Sequence, residues 1–219
     1  MKRILALLMV PVLAQAATTF DGYEAFYASF PDALFHGDGI QLQPYAMEGD
    51  DEMRYGWQGV AAGRRQVLEV RDGVLTINGR VLKRNRIQPF PGEAVSDTDL
   101  GMGTVAYFSS GWTCVENTPT SASGSAVRHR VVYLIKRGAK GYEAWKLSSL
   151  FAHCTSIRVT GKEVLVQEAT YRYVDGQENP VGVNFRVFSL NQGRFVPTDM
   201  RRSITFVEPG NVYKFALDK

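Results

Sequence analysis

Histidine and cysteine are scarce in this chain: three and two, respectively, in 219 residues. His36, His129 and His153 fall in none of the usual metal-ligand spacings, and neither His-Glu-x-x-His nor paired Cys-x-x-Cys occurs. No metal and no cofactor is therefore expected. A spanning apolar run is also missing, because the stretch from Ile4 to Leu13 is broken by Pro11 and falls short of the ~20 residues that cross a bilayer. The serines have no Gly-x-Ser-x-Gly elbow around them. Basic excess is lacking too: "KRNR" at 83–86 is the one dense basic run, and it reads as a solvated strand end. Nucleic acid, which demands a concentrated basic face, is excluded as a partner.

The N-terminus carries a compartment signal. "MKRILALLMVPVLAQAATTF" has a basic start at Lys2 and Arg3, an apolar run, and small residues at Ala14 and Ala16 suited to cleavage before Ala17. Residues 1–16 are expected to be a cleaved secretory signal and residues 17–219 a single mainly-β domain, placed in the periplasm or outside the cell. No cysteine near the cleavage point is available to take a lipid. Two of the 25 Lys and Arg residues leave with the signal, so 23 remain against 22 acidic residues, a net charge of 23 − 22 = +1.

In an oxidising compartment the two cysteines, Cys114 and Cys154, have one possible pairing. Closing a loop of about 41 residues contributes roughly 4 kcal/mol in the chain-entropy view. Both lie in strand-like sequence, which predicts a cross-strand or inter-sheet bridge. A Cys154 nucleophile served by His153 is disfavoured, since neighbours on a strand point to opposite faces.

Local patterns indicate mostly strands. "TTFDGYEAFYASFP" places Phe20, Tyr23, Phe26, Tyr27 and Phe30 at helical spacing, with Asp21 and Glu24 in capping-box positions and Pro31 as the stop. A short helix docking its aromatic stripe on a sheet is expected. From Pro31 to Arg65 periodicity is weak and a loop is expected, including the acidic Asp50, Asp51 and Glu52. "DG" at 72–73 and "NG" at 78–79 then predict two tight hairpin turns joining strands near 66–71, 74–77 and 80–83. That register puts Val70, Leu75 and Leu82 in one row, with Leu68 and Ile77 on the same face and Glu69, Arg71, Thr76 and Lys83 opposite.

"VRDGVLTINGRVL" resembles a hairpin that type I signal peptidases carry near their catalytic lysine. The resemblance would imply a lysine just before the hairpin and a serine in a Ser-Met-x-Pro context upstream. Here the preceding "GVAAGRRQ" supplies Arg64 and Arg65 but no lysine, and no Ser-Met pair precedes it. Arginine stays protonated and cannot act as a general base, so the likeness is one of turn chemistry.

Downstream, "NTPTSASGSA" (117–126) reads as a loop. "VRHRVVYLIK" is apolar on both faces, Val131, Tyr133 and Ile135 against Val132 and Leu134, as in a strand covered on both sides. Further short strands with turn signals lead to the end of the chain. The fold class expected is an antiparallel β-sandwich or barrel-like domain with a short N-terminal helix, a partial propeller being the alternative. An outer-membrane barrel is excluded by charges on both strand faces.

Candidate chemistry is confined to a few residues. His36 beside Asp38 in "FHGDG" could form half of a metal or acid–base site that His153 joins in space, and Asp97 with Asp99 in "SDTDLG" could act as an acidic pair. No convincing catalytic set emerges. The leading expectation is a non-catalytic binding protein, such as an inhibitor or immunity-type protein, whose partner is another envelope or secreted protein. An envelope hydrolase with an acidic or His-centred site and a structural component of an envelope assembly are the alternatives. Convergence of Asp38, Asp97 or Asp99 with a histidine in one cleft distinguishes the hydrolase.

Overall fold

The computed structural model describes residues 18–45, 54–96, 99–118, 124–139 and 141–218. The signal-like segment, Asp50, Asp51, Glu52, Asp97 and the centre of the serine-rich loop lie outside the described residues.

The chain builds three sheets in a nested order. It begins with β1 (Thr19–Asp21), helix α1 (Tyr23–Ala28) and β2 (Ile40–Gln41). Five consecutive strands form an antiparallel meander sheet: β3 (Gln43–Tyr45), β4 (Arg54–Ala61), β5 (Arg64–Arg71), β6 (Val74–Ile77) and β7 (Arg80–Val81). A middle sheet follows from β8 (Ile87–Pro89), β9 (Val105–Ser109), β10 (Trp112–Asn117), β11 (Val131–Gly138) and β12 (Gly141–Lys146). Strand β2 joins it beside β9, and β8 lies parallel to β12 at its other edge. The terminal sheet comprises β13 (Arg158–Thr160), β14 (Glu163–Arg172), β15 (Gly182–Asn191), β16 (Arg194–Phe206) and β17 (Lys214–Leu217), with β1 paired to β17. This is the mainly-β, multi-sheet architecture with one short N-terminal helix that the sequence implied.

Alternation along the strands explains the layering. On β11, Val132 and Leu134 pack with Val164, Val166 and Phe188 of the terminal sheet. Tyr133 and Ile135, on the opposite face, pack with Leu68, Val70, Leu75 and Ile77 of the meander. The middle sheet is thus covered on both faces, as its doubly apolar sequence required. Leu68, Val70, Leu75 and Ile77 are each at most 2% exposed, and burying an aliphatic side chain contributes about 1.5–3 kcal/mol.

The hairpin register is the expected one. Leu68 faces Ile77, Val70 faces Leu75, and the Leu82 amide donates to the Leu75 carbonyl at 2.8 Å. Asp72–Gly73 and Asn78–Gly79 all have positive φ, the condition for the primed turns that match strand twist.

Helix α1 buries Tyr23, Phe26 and Tyr27 against Phe185, Ile204 and Phe215 of the terminal sheet, so the aromatic stripe is a docking face. The capping box does not form. Asp21 is held in β1 opposite Lys214, and Gly22, anchored through its amide to the Tyr213 carbonyl, becomes the N-cap without a side-chain bond. The segment from Pro31 to Arg65 is also more ordered than its pattern suggested, since β2, β3 and β4 lie within it. Gly56 and Gly59 dilute the alternation of β4, whose strand state comes from pairing along its whole length with β5.

Candidate functional site

Register assembles the site on one face of the middle sheet. Cys114 is opposite Tyr107, and Glu116 is opposite both Val105 and Val132. With a two-residue period, Tyr107, Cys114, Glu116 and Arg130 therefore share the face turned to the terminal sheet. Cys114 is bonded to Cys154 with a Cα–Cα distance of 5.8 Å, and both are fully buried. Cys154 lies in a 3-10 turn, Cys154–Ser156, and not on a strand as its sequence suggested. The reason is local: His153 in extended conformation caps that turn, its carbonyl receiving the Ser156 amide and hydroxyl. The bridge thus brings His153 over Glu116.

The polar contacts there are dense. Glu116 Oε2 accepts the Cys154 amide at 2.7 Å. Its Oε1 accepts from Arg130 at 3.3 Å and from the Tyr107 hydroxyl at 3.4 Å, and lies 3.2 Å from His153 Nε2. Glu24, on α1, reaches the same centre from above, 3.4 Å from Arg130 and 3.5 Å from His153 Nε2. Its side chain remains 70% exposed, against 7% for Glu116 and for His153. The Thr155 amide donates to His153 Nδ1 at 3.2 Å, and the Thr155 hydroxyl lies 2.7 Å from it. A backbone donor at Nδ1 leaves the neutral ring with its proton on Nε2, aimed at Glu116.

Burial dominates the titration of this group. It holds the His153 imidazole down to about 4, assisted by the Arg130 charge and opposed by Glu24. Burial likewise raises the Glu116 carboxyl, opposed by the Cys154 amide and Arg130, and raises the Tyr107 phenol. His153 is thus a neutral donor at neutral pH.

These residues form one wall of a cleft of about 510 Å³, and His36 and Asp38 belong to the other wall. Gly39 sets that wall's position, since a Cβ there would fall 2.2 Å from Val105 and 2.5 Å from the Tyr107 ring. Of the residues singled out by sequence, His36, Asp38 and His153 are brought to one cleft. Asp99 is not among the residues lining it. Its buried carboxylate accepts from Lys146 at 2.9 Å, from the Ser96 amide at 2.9 Å and from the Tyr133 hydroxyl. Asp97 lies outside the described residues, and His129 contacts the Ser149 hydroxyl at 3.0 Å. Glu24, Tyr107, Glu116 and Arg130 escaped the sequence reading. In the sequence Glu24 reads only as a capping residue, and Glu116 is a charge within the otherwise strand-like "TCVEN". Among the described residues, no group of three or more His, Cys, Asp or Glu is placed to hold a metal ion.

Comparison with known proteins gives no match to any protein-family model, curated protein or solved structure. Among the described residues no helix is long and apolar enough to cross a membrane.

Proposed function

We propose that this chain is a non-catalytic binding protein of an oxidising compartment, periplasmic or extracellular, whose cleft beneath α1 receives a cationic group from a secreted or envelope protein partner. The observation that carries this reading is the division of the cleft's ionisable groups into a locked set and an open acidic rim. Both nitrogens of His153 and both oxygens of Glu116 are already engaged inside the protein. A general base must instead offer a free lone pair to its substrate. Glu24 and Asp38 on the rim are solvent-facing carboxylates; His153 is neutral, and Arg130 is the one Lys or Arg among the described residues lining the cleft. The resulting negative potential suits a lysine or arginine side chain. The buried disulfide keeps the wall rigid, which reduces the ordering cost of binding.

The test uses arginine amide as a probe, with citrulline amide as its neutral counterpart, followed by NMR of the His153 ring. Saturable binding of arginine amide, weakened about tenfold in Glu24→Gln/Asp38→Asn, is the expected result. Equal response to citrulline amide would refute the electrostatic reading.

A hydrolase is the second reading, favoured by one observation: Asp38 shares the cleft with His36 and His153. It requires turnover of cell-envelope polymers that His36→Ala or Asp38→Asn abolishes.

A further inference from the structure

A second depression lies at the other end of the middle sheet, where two hairpins meet. Arg65 on β5, Arg80 at the start of β7, and the register pair Arg137 and Tyr142 on β11 and β12 line a hollow of about 530 Å³ with the turn residue Asn78 and with Gly141 at the start of β12. Arg80 crosses from the meander to the middle sheet, its Nη1 lying 4.0 Å from where a Cβ on Gly141 would be. Three arginines, from three strands of two sheets, therefore line one hollow.

Among the described residues no carboxylate lines it, and none forms an ion pair with Arg65, Arg80 or Arg137. Arg54, Arg130, Arg158 and Arg172, by contrast, each have an acidic partner. Gathering like charges without a counter-ion is unfavourable, and here the meeting of the meander and middle sheets places three arginines around one hollow. An oriented donor accompanies the cations. Asn78 Oδ1 accepts the Val67 amide at 2.8 Å, which fixes its amide orientation. Its Nδ2 then donates to Gln66 at 2.7 Å and to the Tyr142 hydroxyl at 3.1 Å. Because Tyr142 accepts that bond and its own O–H has no acceptor among the described residues, its proton is available to a ligand.

We propose that Arg65, Arg80, Arg137 and Tyr142 form a binding site for a phosphoryl group. Arginine forks match phosphate oxygens in pairs, and a phosphate carries more charge and more acceptor oxygens than a carboxylate. The site is separate from the acidic cleft and does not depend on the function proposed for it.

Isothermal titration of the protein with sodium phosphate at constant ionic strength tests the assignment. One saturable site is expected, weakened about tenfold in Arg80→Ala and in Arg137→Ala, weakened severalfold in Tyr142→Phe, and unchanged in Arg86→Ala. All four positions are outside the buried core, and melting curves verify that each variant is folded. Absence of saturable binding, or equal losses in Arg86→Ala and Arg80→Ala, overturns the proposal, the latter because it indicates a diffuse field. Phosphatidylcholine vesicles containing phosphatidic acid separate the sources. Retention that free phosphate competes away and Arg80→Ala abolishes identifies a lipid headgroup, whereas phosphate binding without retention identifies a soluble phosphate. Retention that survives Arg80→Ala also counts against the site.

Discussion

His153 gives the sharpest quantitative expectation. Its imidazole titrates near 6.5 when unperturbed and is held at about 4 in the fold, with burial as the main cause. A base whose folded pKa is depressed contributes stability that is complete above the unfolded value and is lost as pH falls through the window from 6.5 to about 4. At about 1.4 kcal/mol per tenfold change in proton affinity, the loss is about 3 kcal/mol. The side chain is only 7% exposed, so solvent screening does little to reduce it. Glu116 is displaced the opposite way, so folding stability measured on one protein mixes the two groups. Comparing the parent with His153→Gln retains Glu116 in both. At about pH 7 the variant is the less stable, having lost the contact to Glu116. By about pH 4 the parent's relative advantage should have fallen by about 3 kcal/mol, a change of about 1–2 M between urea midpoints at ordinary m-values. NMR titration of the His153 ring supplies the direct readout. Parallel stability curves for the two proteins, with a ring midpoint at 6 or above, would refute the argument that the fold holds this histidine neutral.

Reduction of the disulfide, or Cys114→Ala/Cys154→Ala, should cost about 3–4 kcal/mol in urea unfolding and weaken arginine-amide binding, because the Cys154 amide holds Glu116. Variants that melt like the parent would show that the bridge adds nothing. Lys146→Met should cost about 3–5 kcal/mol by leaving the buried Asp99 carboxylate without its cation. The double replacement Lys146→Met/Asp99→Asn should recover part of that loss, and a single-variant loss below about 1 kcal/mol would mean that Asp99 is neutralised by other means.

What was legible in the sequence was whatever depends on neighbours along the chain. Turn residues at 72–73 and 78–79 fixed a register that the alternation of Leu68, Val70, Leu75 and Ile77 independently required, and both agree with the structure. The doubly apolar β11 announced a strand covered on both sides, and the pair of cysteines announced the bridge. His36, Asp38 and His153 were legible as members of one site, whereas Glu24, Tyr107, Glu116 and Arg130 were hidden because helix docking, strand register and the disulfide, and not sequence proximity, bring them there. Glu24 was misread for an instructive reason. Its spacing from Asp21 satisfies a capping box, but pairing of β1 with β17 takes Asp21 out of capping position and leaves Glu24 over the cleft.

Near-neutral composition also concealed how charge is arranged in space. Arg130 enters β11 beside Glu24 and Glu116, while Arg137 leaves it at the three-arginine hollow. Seven residues along a strand that rises ~3.3 Å per residue separate the two sites by ~23 Å. Across that distance in water, opposite unit charges interact by only ~0.2 kcal/mol. Salt at physiological strength, with a Debye length of ~8 Å, reduces this further. A cation in the cleft and a phosphoryl group at the far end would therefore occupy their sites almost independently. A scaffold of three stacked sheets can hold two recognition surfaces of opposite sign because apolar side chains cover the centre of the middle sheet on both faces, which keeps the two clefts at opposite ends of β11 apart.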